Sequence, residues 1–405
     1  VLTALRRFVG SGWGPWALLG VVAVVHVVVT LVGSDPFAMV DLDVYVQGGQ
    51  HLGPSLYEFV TQPLELPFTY PPFSALVFVP LGWLPWVVAR VLWQLASVAA
   101  LALVILFTLQ LLGRAGRHAT RPLPHLTGTV VTATAVSMWL EPVRTTFNYG
   151  QINLFLAAIL LGGAVSARDW WAGASVGLAA GIKLVPAITG LYYLLQRRWT
   201  AAVWAVAVFV ATVVLMVAII PRETWRYFTT LIFDPGRTGP VWSVINQSLR
   251  GALARLAGHD VSTSWLVAAV LSVALGVWAA VAASRAGDRT ASLLAVQFVG
   301  LLVSPISWSH HWVWVLPLLL WCLFGPHARR PAVRVLAIAW IVAVCSYLVS
   351  FLIALQWKGE PATRPGWQSW LGIVYPLLGI LSLALLLAVS RTRVTRHPTA
   401  GVLPG

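Results

Sequence analysis

The stretch WVVARVLWQLASVAALALVILFTLQLL, residues 86–112, carries a single charge, Arg90, in a run longer than the roughly 20 residues that a membrane-crossing helix needs. Working outward, further apolar runs lie at 15–33, 123–140, 152–167, 171–184, 185–196, 199–219, 265–283, 290–304, 311–325, 332–355 and 368–390. The composition agrees: 59% of the 405 residues are hydrophobic, only 9% are charged, and mean hydropathy is +0.83. A soluble domain carries roughly 25% charged residues, and one of this size cannot hide so much apolar surface from water. Disorder, a coiled coil and a disulfide scaffold are excluded. The expected fold is an all-α polytopic membrane protein, one domain over 1–405, with about twelve transmembrane helices. Residues 73–84 are half a span, bounded by Tyr70-Pro71-Pro72 and Pro85, and read as re-entrant or as a broken start of the next span.

The 26 Lys and Arg against 12 Asp and Glu give a net charge of +14. The basic residues sit in short gaps between apolar runs: Arg6 and Arg7; Arg114, Arg117 and Arg121; Arg197 and Arg198; Arg285 and Arg289; Arg329, Arg330 and Arg334; Arg391, Arg393 and Arg396. Such loops mark the cytoplasmic side, so the charge is a topology signal and no nucleic-acid partner is expected. Asp169 and Asp288 fall inside with them, whereas Asp35, Asp41, Asp43, Glu58, Glu65, Glu141, Glu223, Asp234, Asp260 and Glu360 fall outside. Acidic residues have little topogenic power, so a polar working face on the outer side is the simplest cause. Long outer loops are expected at 34–72, 221–264 and 356–368, joined by short polar breaks at 141–153 and 304–311. The run at 16–32 is as long as a span and is not followed by a small-residue cleavage site, so it reads as a span rather than a signal peptide.

Chemistry-bearing residues gather on that face. Asp41 and Asp43 follow the first span; on a helix they point different ways and on a strand the same way. One is expected to be a general base whose carboxyl is raised by partial desolvation; a helix cap or a metal-binding Asp-x-Asp stay open as alternatives. Lys183, flanked by apolar sequence, either snorkels or meets an anion such as a phosphate. Arg144 is a second such cation, or pairs with Glu141. The adjacent His310 and His311 diverge by about 100° on a helix, so they do not chelate one ion; one faces a site while the other packs, or both are interfacial. Asn148, Gln151, Asn246 and Gln247, with aromatic residues nearby, suit sugar recognition, in which hydroxyls are hydrogen-bonded and ring faces stack on aromatics.

Taken together, Asp41-Leu42-Asp43-Val44-Tyr45, Phe68-Thr69-Tyr70-Pro71-Pro72-Phe73, Glu141-Pro142 with Arg144, Asn148-Tyr149-Gly150-Gln151-Ile152-Asn153, Lys183 with Pro186, Asn246-Gln247-Ser248 and residues 304–314 resemble the polyprenol-phosphate-mannose-dependent α-1,2-mannosyltransferases of mycobacteria and related actinobacteria. The resemblance runs over nearly the whole chain and is strongest to the enzymes of phosphatidylinositol mannoside elongation. It implies a GT-C fold in the inner (plasma) membrane with its site facing the periplasm, a polyprenyl phosphate mannose donor and a tetramannosylated phosphatidylinositol mannoside acceptor. It implies Asp43 as the catalytic aspartate with His310 as its partner or as the base itself. Lys183, Arg144 and His311 would hold the donor phosphate. Asp41, Tyr45, Tyr70, Glu141, Asn148, Gln151, Asn246 and Gln247 would line the acceptor. No cofactor or metal is expected. Two rivals predict otherwise: another lipid-dependent glycosyltransferase of lipomannan or lipoarabinomannan synthesis, and a lipid or sugar transporter, which would place polar residues on both faces.

Overall fold

Helices form wherever an apolar run is long enough to satisfy its own backbone, and the breaks fall at prolines and polar residues. The computed structural model describes residues 2–32, 38–114, 120, 122–356 and 366–391. Asp35, Arg117, Arg121, Glu360, Arg393, Arg396 and most of the loop expected at 356–368 lie outside the described residues. The Trp86–Leu111 helix has 26 residues, about 39 Å at 1.5 Å per residue, which exceeds the roughly 30 Å hydrocarbon core. Trp199–Ile219, Ser262–Arg285, Pro331–Gln356 and Gly366–Arg391 are also long and apolar enough to cross. Full-length candidate spans therefore number five among the described residues, or six if the bent pair Glu141–Tyr149 and Asn153–Val165 crosses as one. The run at 15–33 folds as the 19-residue helix Gly14–Val32, and shorter apolar helices include Pro72–Gly82, Leu126–Ser137 and Arg289–Val303. The half-span at 73–84 becomes the Pro72–Gly82 helix, and Pro85 stands at the start of the next.

Small residues decide the closest helix pairing. Gly173, Gly177 and Gly181 recur every four residues along Asp169–Ile182 and so form one stripe. The stripe lies against Ala201, Ala205 and Thr212 of Trp199–Ile219. A Cβ on Gly177 would stand 2.5 Å from the Ala205 carbonyl oxygen, and one on Gly181 2.7 Å from Thr212 Oγ1. Small residues that let backbones approach are the usual device for helix association in lipid, where no hydrophobic force separates helix from solvent. Lys183 is the C-terminal cap of this helix, so the stripe fixes where its side chain starts. Gly177→Val should destabilise the protein by about 1–3 kcal/mol through overpacking, read as a lower melting temperature in detergent; an unchanged melt would mean that the pair separates freely.

The two ends of the bundle differ in chemistry. At one end Arg114 donates to the Phe324 carbonyl at 2.7 and 2.9 Å, Arg289 to the Ala164 carbonyl at 2.8 Å and Arg198 to Asp169 at 2.7 Å. Asp288 caps the Arg289–Val303 helix through the Ala291 N–H and accepts from the Trp321 indole. Asn153, Lys183 and Ser304 stand at the opposite ends of the helices that Ala164, Asp169 and Arg289 begin or finish.

Candidate active site

Three breaks in the helical order meet at that opposite end. The first is a bend of 117° between Glu141–Tyr149 and Asn153–Val165. Gly150 makes it with φ 71°, a left-handed conformation that side chains rarely adopt, and a Cβ there would lie 2.6 Å from Leu42 Cβ. The bend delivers Gln151 and Asn153 inward, both buried. The second break separates Asp169–Ile182 from the short turn Val185–Ile188, where Pro186 cannot continue the helical bonding, and leaves Lys183 extended between them. The third is the 3₁₀ turn Ser309–Trp314, which carries both histidines.

The Lys183 ammonium stands at the centre of the meeting point. Its Nζ donates to Asn153 Oδ1 at 3.0 Å and to Gln151 Oε1 at 3.4 Å, and lies 3.0 Å from His311 Nε2. It also lies 5.6 Å from the centre of the Tyr70 ring. Tyr45 Oη donates to Gln151 Oε1 at 2.9 Å and is 3.2 Å from Tyr70 Oη, and Gln151 Nε2 donates to Tyr70 Oη at 3.4 Å. Gln151 also hydrogen-bonds the Asp41 carboxylate, which feels the Lys183 charge. Burial pushes the Asp41 carboxyl well above its usual range, while the Gln151 hydrogen bond and the Lys183 charge hold it down in part. A carboxylate and an ammonium thus face one space with an amide between them.

The histidine turn is tied down from two sides. Thr146 Oγ1 and Asn153 Nδ2 both donate to the His310 carbonyl, at 3.1 and 2.9 Å. The His310 ring is buried edge-on to Tyr149 and to His311, and neither of its nitrogens has a hydrogen-bond partner among the described residues. Beyond Lys183 and His311 lies a cavity of about 40 Å³, walled by Leu156, Ala157, Leu160, Leu301 and Trp314. The cavity thus has Lys183, Asn153 and His311 at one end and mostly apolar walls beyond them, with Gln297 among these.

Residues 68–305 match the family model of glycosyltransferase family 87. The chain belongs to glycosyltransferase family 87. Curated relatives within reach of the whole length agree. It is 40% identical over 87% of its length to 82% of a polyprenol-phosphate-mannose-dependent α-(1-2)-phosphatidylinositol pentamannoside mannosyltransferase of Mycobacterium tuberculosis. It is equally identical, over 83% of its length and 82% of the relative's, to the protein of the same description from Mycolicibacterium smegmatis. A polyprenol-phosphate-mannose-dependent α-(1-2)-phosphatidylinositol mannoside mannosyltransferase of M. tuberculosis is 33% identical over 96% of this chain and 94% of its own. No solved structure matches significantly.

Within this glycosyltransferase the expected site residues divide. Asp41, Tyr45, Tyr70, Gln151, Lys183 and His311 come together, with His310 beside them. Asp43 does not join them. Residues 40–50 form a helix, on which two positions correspond to about 200°, so Asp43 turns to the far face and accepts from Gln47 at 2.9 Å. Burial raises its carboxyl also, against the Gln47 hydrogen bond. The carboxylate within reach of Lys183 is Asp41. Arg144 also stands apart, within electrostatic reach of Tyr347 and His26.

Three expected sugar-binding residues, Glu141, Asn246 and Gln247, have their side chains occupied by the protein itself. Glu141 is fully buried and accepts from Ser350 N and Oγ, both at 2.6 Å, and from Tyr375 Oη at 2.8 Å, tying its helix to the C-terminal ones. Asn246 donates to the Val241 and Pro305 carbonyls and accepts from Ser248 N and Ser307 N, which uses its amide completely. Gln247 donates to the Val244 and Gly372 carbonyls and accepts from Tyr375 N. Together they fasten the segment leading to His310 and His311 and so position the histidines rather than a sugar. Asn148 is buried on the helix before the bend, its carbonyl accepting from Met39 N. Asn153, by contrast, holds both Lys183 and the His310 carbonyl; its place directly after Gly150-Gln151-Ile152 was the available signal.

Proposed function

We propose that the chain is an inverting α-1,2-mannosyltransferase that moves mannose from polyprenyl phosphate mannose to a phosphatidylinositol mannoside. The observation that carries this reading is the Asp41–Gln151–Lys183–His311 group beside an apolar cavity; the donor and acceptor follow from the names of the relatives. A β-linked mannosyl phosphate that gives an α-linked product inverts the anomeric centre, so one displacement with one base suffices. Asp41 takes the proton from the acceptor 2-hydroxyl as its oxygen bonds to the anomeric carbon. The bond from that carbon to the phosphate oxygen breaks through an oxocarbenium-like transition state, and its electron pair leaves on the phosphate. Lys183, with His311 on its Nζ, stands where that charge develops, and the buried His310 packs behind them.

The chemistry of the two ends of the bundle supports one orientation. Arg114, Arg198 and Arg289 lie at the end away from Lys183, and short basic loops favour the cytoplasm. The site then faces the periplasm from the inner membrane, with the GT-C arrangement of crossings around it.

The deciding experiment incubates purified protein with polyprenyl phosphate mannose and a tetramannosylated phosphatidylinositol mannoside and determines the linkage of the product. A new α-1,2-linked mannose is expected; no transfer between these two lipids overturns the reading. A protein ammonium in place of a metal also makes the reaction independent of divalent ions. The initial rate should be the same with and without EDTA, and a rate lost in EDTA and regained on adding Mg²⁺ or Mn²⁺ would refute metal independence.

A further inference from the structure

The far face of the Val40–Gln50 helix is not surplus. An open groove of about 490 Å³ runs along it, lined among others by Asp43, Gln47, Gln50, Gln62 and Trp86. That volume lies within the roughly 300–1,000 Å³ usual for small-molecule sites. We infer that this groove is a second carbohydrate subsite, which holds inner mannose units of the acceptor while the terminal mannose meets Asp41. The inference rests on the acceptor named under Proposed function and assigns residues that the reaction itself does not use.

The lining has the chemistry of polyol recognition. Asp43 and Gln47 share one hydrogen bond, 2.9 Å from Nε2 to Oδ2, which uses one amide hydrogen and orients the carboxylate. A carboxylate accepts from two sugar hydroxyls, and amides both donate and accept. Gln50 is anchored through Nε2 to the Gly82 carbonyl at 3.1 Å, which directs its amide along the groove wall. Trp86 begins the long apolar helix and presents an exposed indole, backed by the Arg90 guanidinium at 5.7 Å from the ring centre. An indole face of that kind stacks on the apolar face of a pyranose.

Charge selects among ligands. Among the described residues Asp43 is the charged residue of the lining, and the nearby Arg90 lies against the Trp86 ring rather than in the groove wall. A phosphate would be repelled, so the acceptor's phosphodiester and the donor's phosphate belong elsewhere. Neutral sugar units fit.

Helix geometry then sets the length of the ligand. Asp41 and Asp43 are only about 3 Å apart along the axis but on opposite sides of a helix about 10–12 Å across. A single hexose cannot touch both. An oligomannoside passing the helix end can, with its terminal 2-hydroxyl at Asp41 and its inner units against Asp43 and Gln62. The groove is therefore a device for choosing an already mannosylated acceptor over a short one.

The test is a steady-state analysis of Asp43→Asn and Gln62→Ala with tetramannosylated phosphatidylinositol mannoside and polyprenyl phosphate mannose varied in turn. Losing hydrogen bonds that involve a charged or amide group should raise the acceptor KM by about 10- to 100-fold for Asp43→Asn and less for Gln62→Ala. The donor KM and kcat at saturating acceptor should stay at the wild-type level. Gln62 is exposed, so its replacement keeps the test independent of folding. An unchanged acceptor KM in both variants overturns the subsite, as does an equal loss in kcat and in both KM values, which would mark a structural role. If wild-type protein transfers no mannose between these lipids, the reaction assignment fails and takes the subsite with it; if wild type is active and the variants match it, only the subsite fails.

Discussion

Asp41→Asn is expected to lower kcat for mannose transfer by about 10²–10⁴-fold, the range in which a positioned general base contributes. The substitution is nearly isosteric and keeps an oxygen and an amide in the hydrogen-bonded neighbourhood of Gln151, so donor binding should survive while the proton of the acceptor hydroxyl loses its destination. The pH profile provides a second measurement with a fixed sign. Burial raises the Asp41 carboxyl, only partly opposed by Gln151 and Lys183, and the base works in its ionised form. Wild-type kcat should therefore fall as pH drops through that raised value, at less acidic pH than an ordinary aspartate would impose. Turnover at the wild-type rate by Asp41→Asn, together with loss of kcat in Asp43→Asn, would return the base to Asp43. The two carboxylates compete for one role, and the helix allows only one of them to face Lys183.

This competition also shows what the residues alone disclose. The apolar runs at 86–112, 199–219 and 290–304 become Trp86–Leu111, Trp199–Ile219 and Arg289–Val303 because length and composition dictate such helices locally. The polar breaks at 141–153 and 304–311 lead to Gln151, Asn153 and the histidines, which the fold brings together. Which aspartate serves the site is not legible from the residues alone. That depends on Gln151 and Lys183, more than a hundred residues away, and on residues 40–50 being a helix rather than a strand. Asn246 and Gln247 show the same dependence on the fold: an amide that ties a loop and an amide that binds a sugar look the same until the backbone carbonyls around them are placed. The Gly173, Gly177 and Gly181 stripe is masked by its apolar neighbours, although its spacing alone predicts a close helix contact.

Lys183→Met should cost about 10²–10³-fold in kcat, by analogy with removal of a donor from an oxyanion hole. Two causes could produce such a loss, and they are separable. Removing the ammonium leaves Gln151 Oε1, Asn153 Oδ1 and His311 Nε2 without their shared donor, which could simply loosen the site. It also removes the charge that meets the departing phosphate. Lys183→Arg restores a cation without restoring the compact geometry, so partial recovery points to charge. A more decisive measurement changes the leaving group. With a mannosyl donor whose leaving group is a weaker base than a phosphomonoester, less negative charge needs stabilising in the transition state. The defect of Lys183→Met should then shrink, whereas the defect of Asp41→Asn, which lies on the nucleophile side of the same displacement, should persist. Equal defects with both donors would place Lys183 among the groups that hold the site together, and would leave the phosphate's developing charge to some other residue.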